Sequence, residues 1–344
     1  MTRVVLILLM SVILAVPTFA REAAFEGEWL TMRDGAELRR APLSSVLRGR
    51  TAWRTIYDTG GPRISDFSCL PPDYRRCVVT MGTGPEARLL EIDTETGRPV
   101  AGGFDTTATP LRADWHDDAR LMVAGNTAPG VIDENGEPRL MQLWTRGTPL
   151  IEASTILATE PGTRDLTPIF DLSNSGLFHA ATMTSPTGDD QLFHFGWNDN
   201  LVPSRLPAAF TFQDFFQGRA VALLGASWNG IPAGGLAAYP MAALLGPGRQ
   251  TLPERAYVPA PGYGVEKALG GRDRLYVLLK GAGEDRLIDL RVGVPEWRER
   301  RLRVPGEGPI ELLAVSKLAY TALVRRGGRL HAVGRGRTRS VSAP

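Results

Sequence analysis

Residues 114–157 read DWHDDARLMVAGNTAPGVIDENGEPRLMQLWTRGTPLIEASTIL. With Leu111-Arg112-Ala113 just before them, they hold four short runs: Leu111–Trp115, Arg120–Gly125, Arg139–Trp144 and Pro149–Leu157. The runs carry Val, Ile, Leu, Trp and Thr and are separated by turn residues, including a long stretch rich in Gly, Pro, Asn and Asp. That pattern describes four antiparallel strands. Such a unit cannot bury its own faces, so it predicts further copies of itself.

Working outward, the same rhythm recurs over residues 26–58, 64–104, 110–157, 164–206, 209–258, 265–304 and 309–334. Unit starts lie about 40 to 55 residues apart, the period of propeller blades. The expected fold is all-β, a seven-bladed β-propeller with blades of about four antiparallel strands. Radial packing of such sheets protects their edges. A β-sandwich pair shares the strand spacing, and recurrence along the whole chain favours the propeller. Units one and seven each show three recognisable strands, so the first and last blades are expected to be incomplete.

The 344 residues carry 39 Lys plus Arg against 37 Asp plus Glu, a net charge of +2, which gives no overall nucleic-acid-binding balance. The 38 Gly and 26 Pro fall between apolar runs, as punctuation for many turns. Residues 1–20 differ from the rest: Arg3, an apolar run Val4–Val16, then Pro17-Thr18-Phe19-Ala20. This is the pattern of a secretory signal peptide ending at Ala20, and the apolar run is shorter than the roughly 17 to 25 residues that span a bilayer. The chain is therefore expected to be exported, periplasmic or secreted, with no membrane attachment after cleavage. Residues 21–324 are assigned to the propeller and 325–344 to an Arg-rich disordered tail. The abrupt composition there is read as an altered reading frame or truncation.

Six acids recur near the first strands of successive units: Asp66, Asp114, Asp165, Asp214, Glu266 and Glu311. If first strands line the channel, these residues would ring it and favour cations or basic peptide ends; the bland reading makes them turn residues and salt-bridge partners. The four histidines stand singly. His179 and His194 fall in neighbouring strands, but a zinc site needs three or four converging ligands, so no metal and no cofactor are expected. The loop Asp133-Glu134-Asn135-Gly136-Glu137 lacks the spaced ligands of a calcium loop and reads as a polar turn. Cys69 and Cys77, the only cysteines, flank a hairpin-like turn in a chain bound for an oxidising compartment, and are expected to form a disulfide.

Four stretches resemble the propeller domain of the prolyl oligopeptidase family of serine peptidases: Cys69-Leu70-Pro71-Pro72-Asp73-Tyr74-Arg75-Arg76-Cys77, Gln142–Leu150, Trp228-Asn229-Gly230-Ile231-Pro232-Ala233-Gly234 and Arg272–Val277. In that family a seven-bladed propeller caps an α/β-hydrolase domain with a Ser-Asp-His triad, and restricts entry to short proline-containing peptides. The resemblance implies a substrate-gating domain, partnered by short peptides and by a separately encoded hydrolase domain. No serine here sits in a G-x-S-x-G elbow; the nearest, Ser227 in Gly225-Ala226-Ser227-Trp228-Asn229-Gly230, reads as a hairpin turn. No catalytic residue is assigned, and the chain alone is expected to have no peptidase activity. The alternative reading is a stand-alone periplasmic propeller that binds a peptide or a protein.

Overall fold

The structure is a computed structural model. It describes residues 21–344 apart from 83–86, 109–110, 172–177, 187–190, 198–199, 205, 208, 246–251, 294–296 and 335. The expected signal peptide lies outside the described residues.

The strands group into six four-stranded antiparallel sheets and one five-stranded sheet, each built from consecutive strands in sequence order. In chain order the sheets span residues 23–58, 64–106, 111–158, 164–203, 210–257, 263–302 and 310–341; they are numbered one to seven below. The repeated up-and-down order follows from short connections, because sequential strands joined by tight turns pair with each other. This is an all-β propeller fold.

The apolar core is divided between neighbouring sheets. Phe67, Cys77, Val79 and Ile92 of sheet two pack against Leu38 and Ile56 of sheet one. Val78 and Phe104 of sheet two meet Trp115, Leu121 and Trp144 of sheet three. The same sharing continues around the molecule, and the last sheet meets the first where Ala314, Leu323, Leu330 and Val341 pack on Ala23, Leu30, Met32 and Ala41. That final cluster closes the ring. Each sheet is thus covered on both faces, so some of its middle strands are buried along most of their length and do not alternate. Leu121, Met122, Val123 and Ala124 are all fully buried, as are Leu275, Val277 and Leu279 with the residues between them. Continuous apolar runs are the signature of a strand covered on both sides.

The first and last sheets are complete, contrary to the expectation from sequence. Ala23–Glu26 supplies the first strand of sheet one and Arg337–Val341 the last strand of sheet seven. The Arg-rich residues expected to form a disordered tail instead make the end of Thr321–Arg326, then Arg329–Gly334 and Arg337–Val341. Leu330, Ala332, Val333 and Val341 are buried there, so the propeller runs to Val341 and the change in composition is no departure from the fold. Among the described residues no strand is exchanged at the closure: Ala23–Glu26 pairs with Trp29–Asp34, and Arg337–Val341 pairs with Arg329–Gly334.

Candidate functional site

First strands of neighbouring sheets lie against each other, as Leu111–Trp115 does with Arg164–Asp171, Phe210–Phe216 with Tyr263–Gly270, and Ala23–Glu26 with Ile310–Val315. They therefore form the inner wall of the ring. All six acids singled out from sequence fall on these strands. Five of the strands shift register beside the acid, at Ile64/Asp66, Arg164/Thr167, Phe212/Asp214, Val265/Lys267 and Leu312/Ala314. Such bulges bend a strand and re-aim its side chains.

Three of the acids precede an aromatic residue: Asp66-Phe67, Asp114-Trp115 and Asp214-Phe215. The aromatic ring is buried in each case, while the carboxylate joins inner strands to one another. Asp114 accepts from its neighbour Trp115 N (2.9 Å), from Ser68 Oγ of sheet two (2.7 Å) and from Phe170 N of sheet four (3.3 Å). Asp214 repeats the arrangement with Phe215 N (2.8 Å) and Gly270 N of sheet six (2.7 Å). Asp66 accepts from Arg21 N (2.7 Å). Burial pushes its carboxyl up to about 6, with Arg21 opposing the shift.

Five of the six inner-wall acids are matched by cations. Arg21 pairs with Asp114 (2.6 Å), Arg112 with Asp165 (3.3 Å), Lys317 with Asp214 (3.3 Å), Lys280 with Glu266 (3.5 Å) and Arg325 with Glu311 (2.7 Å). Asp165, Glu266 and Glu311 are well exposed, whereas Asp114 is only 2% exposed. Those five form compensated pairs, the buried Asp114 also binding sheet to sheet, while Asp66 is held by the Arg21 main-chain N–H. Sequence reading missed the cationic half. Its signal was present, because Lys267, Lys280 and Lys317 are the only lysines in an arginine-rich chain. All three belong to sheets six and seven or their ends. Burial pushes the Lys267 ammonium down, against the attraction of Asp214, Glu266 and Glu311.

Cys69 and Cys77 are directly opposed across the first two strands of sheet two and form a disulfide. The adjacent Leu70 N–H donates to Arg76 O (2.8 Å), which makes the cysteines the non-hydrogen-bonded pair, where side chains lie closest. The buried Arg40 guanidinium sits beside both sulfurs and donates to Glu26 (3.0 Å), Tyr74 O (3.0 Å), Thr31 Oγ1 (3.1 Å) and Thr94 Oγ1 (3.0 Å).

Ser227 belongs to a hairpin. Trp228 and Ile231 exchange both backbone bonds at 2.9 Å around Asn229-Gly230, both with positive φ, the geometry of a type I′ turn. Ser227 Oγ accepts from Ala233 N (3.4 Å). His179 stacks on His116 with ring centroids 4.0 Å apart, and its Nε2 lies 3.0 Å from His116 O. His194 instead pairs in register with Ala181. Asp133 Oδ1 accepts from Asn135 N and Glu137 N, both at 2.9 Å, and so closes its own loop as a polar turn. Among the described residues no three His, Cys, Asp or Glu side chains converge as metal ligands. No helix among them is long and apolar enough to cross a membrane.

This geometry defines the class: a propeller whose inner wall is braced by carboxylates and closed by packing. No protein-family model matches the sequence. The chain is 22% identical over 330 residues to an uncharacterized peptidase, y4nA, of Sinorhizobium fredii, covering 87% of this chain and 44% of that protein. Among solved structures it superposes on a post-proline cleaving enzyme from Rickettsia typhi with a TM-score of 0.78 at 14% identity, over 93% of this chain and 52% of that one. Oligopeptidase B from Leishmania major gives 0.66 at 13% identity, over 94% and 48%. The isolated β-propeller domain of the trilobed protease from Pyrococcus furiosus gives 0.54 at 12%, over 95% and 97%. The chain resembles the propeller of prolyl oligopeptidase-type peptidases, and spans about half the length of the full-length peptidases it matches.

Proposed function

We propose that residues 21–344 form a seven-bladed propeller, one blade per sheet, that gates substrate entry to an exported serine peptidase of prolyl oligopeptidase type. The observation that carries this reading is the extent of the structural match, 93% of this chain against 52% of the Rickettsia typhi enzyme at a TM-score of 0.78. The substrates are short proline-containing peptides, and a hydrolase domain outside these residues supplies the chemistry. Acyl transfer requires an activated nucleophile, a base in reach and an oxyanion hole. Ser227 in its hairpin has a backbone N–H as its partner instead. Export is supported by the leader pattern and by the Cys69–Cys77 disulfide, which persists in oxidising compartments.

Purified residues 21–344 should show no turnover of a chromogenic prolyl dipeptide, with or without a serine-directed phosphonate. Phosphonate-sensitive turnover abolished by Ser227→Ala would overturn the non-catalytic reading. A tagged chain recovered from its native exported fraction should bring down a phosphonate-labelled hydrolase. Recovery of a bound peptide with no labelled hydrolase would replace the gating role with a stand-alone peptide-binding one.

A further inference from the structure

We propose that removal of the leader after Ala20 turns the Arg21 main-chain nitrogen into an ion-pair partner of Asp66, so that maturation itself completes the clasp that closes the ring. The inference rests on the export reading and is independent of the peptidase reading.

Arg21 and Glu22 are the first two residues after the leader, and together they touch four sheets. Arg21 N donates to Asp66 Oδ1 (2.7 Å) and Arg21 Nη1 to Phe67 O (3.2 Å), both in sheet two. Arg21 Nη2 reaches Asp114 Oδ2 in sheet three (2.6 Å), and Arg21 O accepts from Arg33 Nε of sheet one (2.8 Å). Glu22 pairs with Arg325 of sheet seven, and its carbonyl accepts from Arg33 N (3.0 Å). Among the described residues no strand crosses between sheets seven and one, so the closure is spanned by this dipeptide, the apolar cluster and Trp53, whose Nε1 donates to Ser342 O (2.8 Å).

The charges around it are unequal before cleavage. Asp66 and Asp114 face one guanidinium, that of Arg21, and the nearby Glu26 is already committed to Arg40 and Thr31. Arg33 is turned to main-chain oxygens, Arg21 O and Ile64 O. Among the described residues no other Lys or Arg forms an ion pair with Asp66 or Asp114. Hydrolysis of the Ala20–Arg21 bond by a leader peptidase consumes one water and leaves a carboxylate on Ala20 and an amine on Arg21. That amine is protonated at neutral pH, since α-amines titrate near about 8. The amide donor already on Asp66 becomes a cation in place, and two carboxylates then face two cations. Uncompensated charge in a partly buried site is costly, and pairing relieves it.

The test compares residues 21–344 beginning at Arg21 with the same chain carrying Ala20, which moves the ammonium one residue away, about 3.8 Å between Cα atoms. At pH 7 the Arg21-first chain should melt about 3 °C higher, and Asp66→Asn should erase the difference. Equal melting temperatures, or a difference that survives Asp66→Asn, would overturn the proposal. A second readout works even if that variant does not fold. The Arg21 α-amine should acylate at least about tenfold more slowly in the native wild type than in urea, with a free dipeptide α-amine in the same sample as the standard; an unprotected amine refutes the pairing. N-terminal sequencing of the exported protein should begin at Arg21, and any other first residue overturns the maturation step. A failure of the peptidase assays would leave all three results unchanged.

Discussion

Replacing Asp114 by Asn separates a structural brace from an electrostatic lure. The carboxylate is 2% exposed and accepts four bonds: Ser68 Oγ and Trp115 N on Oδ1, Arg21 Nη2 and Phe170 N on Oδ2. An Asn amide keeps the shape but turns one of the two acceptors into a donor. An NH2 in place of Oδ2 would face the donors Arg21 Nη2 and Phe170 N, one in place of Oδ1 would face Trp115 N–H even if the Ser68 hydroxyl turns to accept, and in either case the charge opposite Arg21 is gone. Hydrogen bonds to a charged group are worth about 1.5 to 3 kcal/mol each, and breaking a buried pair by removing one partner costs about 3 to 5 kcal/mol. Asp114→Asn should therefore lose about 3 to 5 kcal/mol, a large share of the roughly 5 to 15 kcal/mol typical of folded proteins. Asp165→Asn is the control. Its side chain is 43% exposed with Arg112 at 3.3 Å, so its loss should stay below about 1 kcal/mol. Urea unfolding followed by the fluorescence of the seven tryptophans measures both. A loss below about 1 kcal/mol for Asp114→Asn, or equal losses for the two variants, would refute the argument that burial sorts these acids into braces and surface charges.

Arg40→Met should cost about 3 to 5 kcal/mol by stranding Glu26, and the deficit should shrink as pH falls. Burial already raises the Glu26 carboxyl, and a raised native pKa favours the folded state once the group is protonated; a pH-independent deficit in urea titrations would contradict this. Opening the disulfide by Cys69→Ser with Cys77→Ser should lose about 2.5 kcal/mol in the chain-entropy estimate for so short a loop, read as the difference from wild type without reductant. In the chain that retains Ala20, Asp66 with its carboxyl at about 6 binds its proton more tightly folded than unfolded. Stability should accordingly rise as pH is lowered from 7 through 6 toward 4, and thermal melts of Asp66→Asn should lack that component.

The repeat was legible because a strand is a local object. Val, Ile and Leu runs broken by Gly, Pro and Asn mark strands and turns without knowledge of what covers them, and the predicted unit limits fall close to the observed sheets. The disulfide was legible for the same reason, since Cys69 and Cys77 stand on either side of one turn. The two missed strands fail that local test. Ala23–Glu26 has four residues with Phe25 as its one large apolar side chain, too short to show a period, and Arg337–Val341 is an outer strand whose buried side chain is Val341 alone. Arginine on an exposed edge is compatible with a strand and protects it from mispairing, which is why composition alone read residues 325–344 as a tail.

At the inner wall the sequence located the acids and left their role open. Asp66, Asp114 and Asp214 differ from Asp165, Glu266 and Glu311 in what neighbouring sheets place around them. Register shifts beside five of the six turn those side chains in ways that spacing does not encode. Asp114 meets Ser68 and Phe170 across 46 and 56 residues, and Arg21 across 93. Composition and periodicity determined that this chain repeats an antiparallel sheet, because burial of each sheet needs the next, and together with the family resemblance they favoured a ring over a sandwich. Only the closed tertiary structure decided which charges are buried together, because burial and pairing are set by contacts distant in sequence.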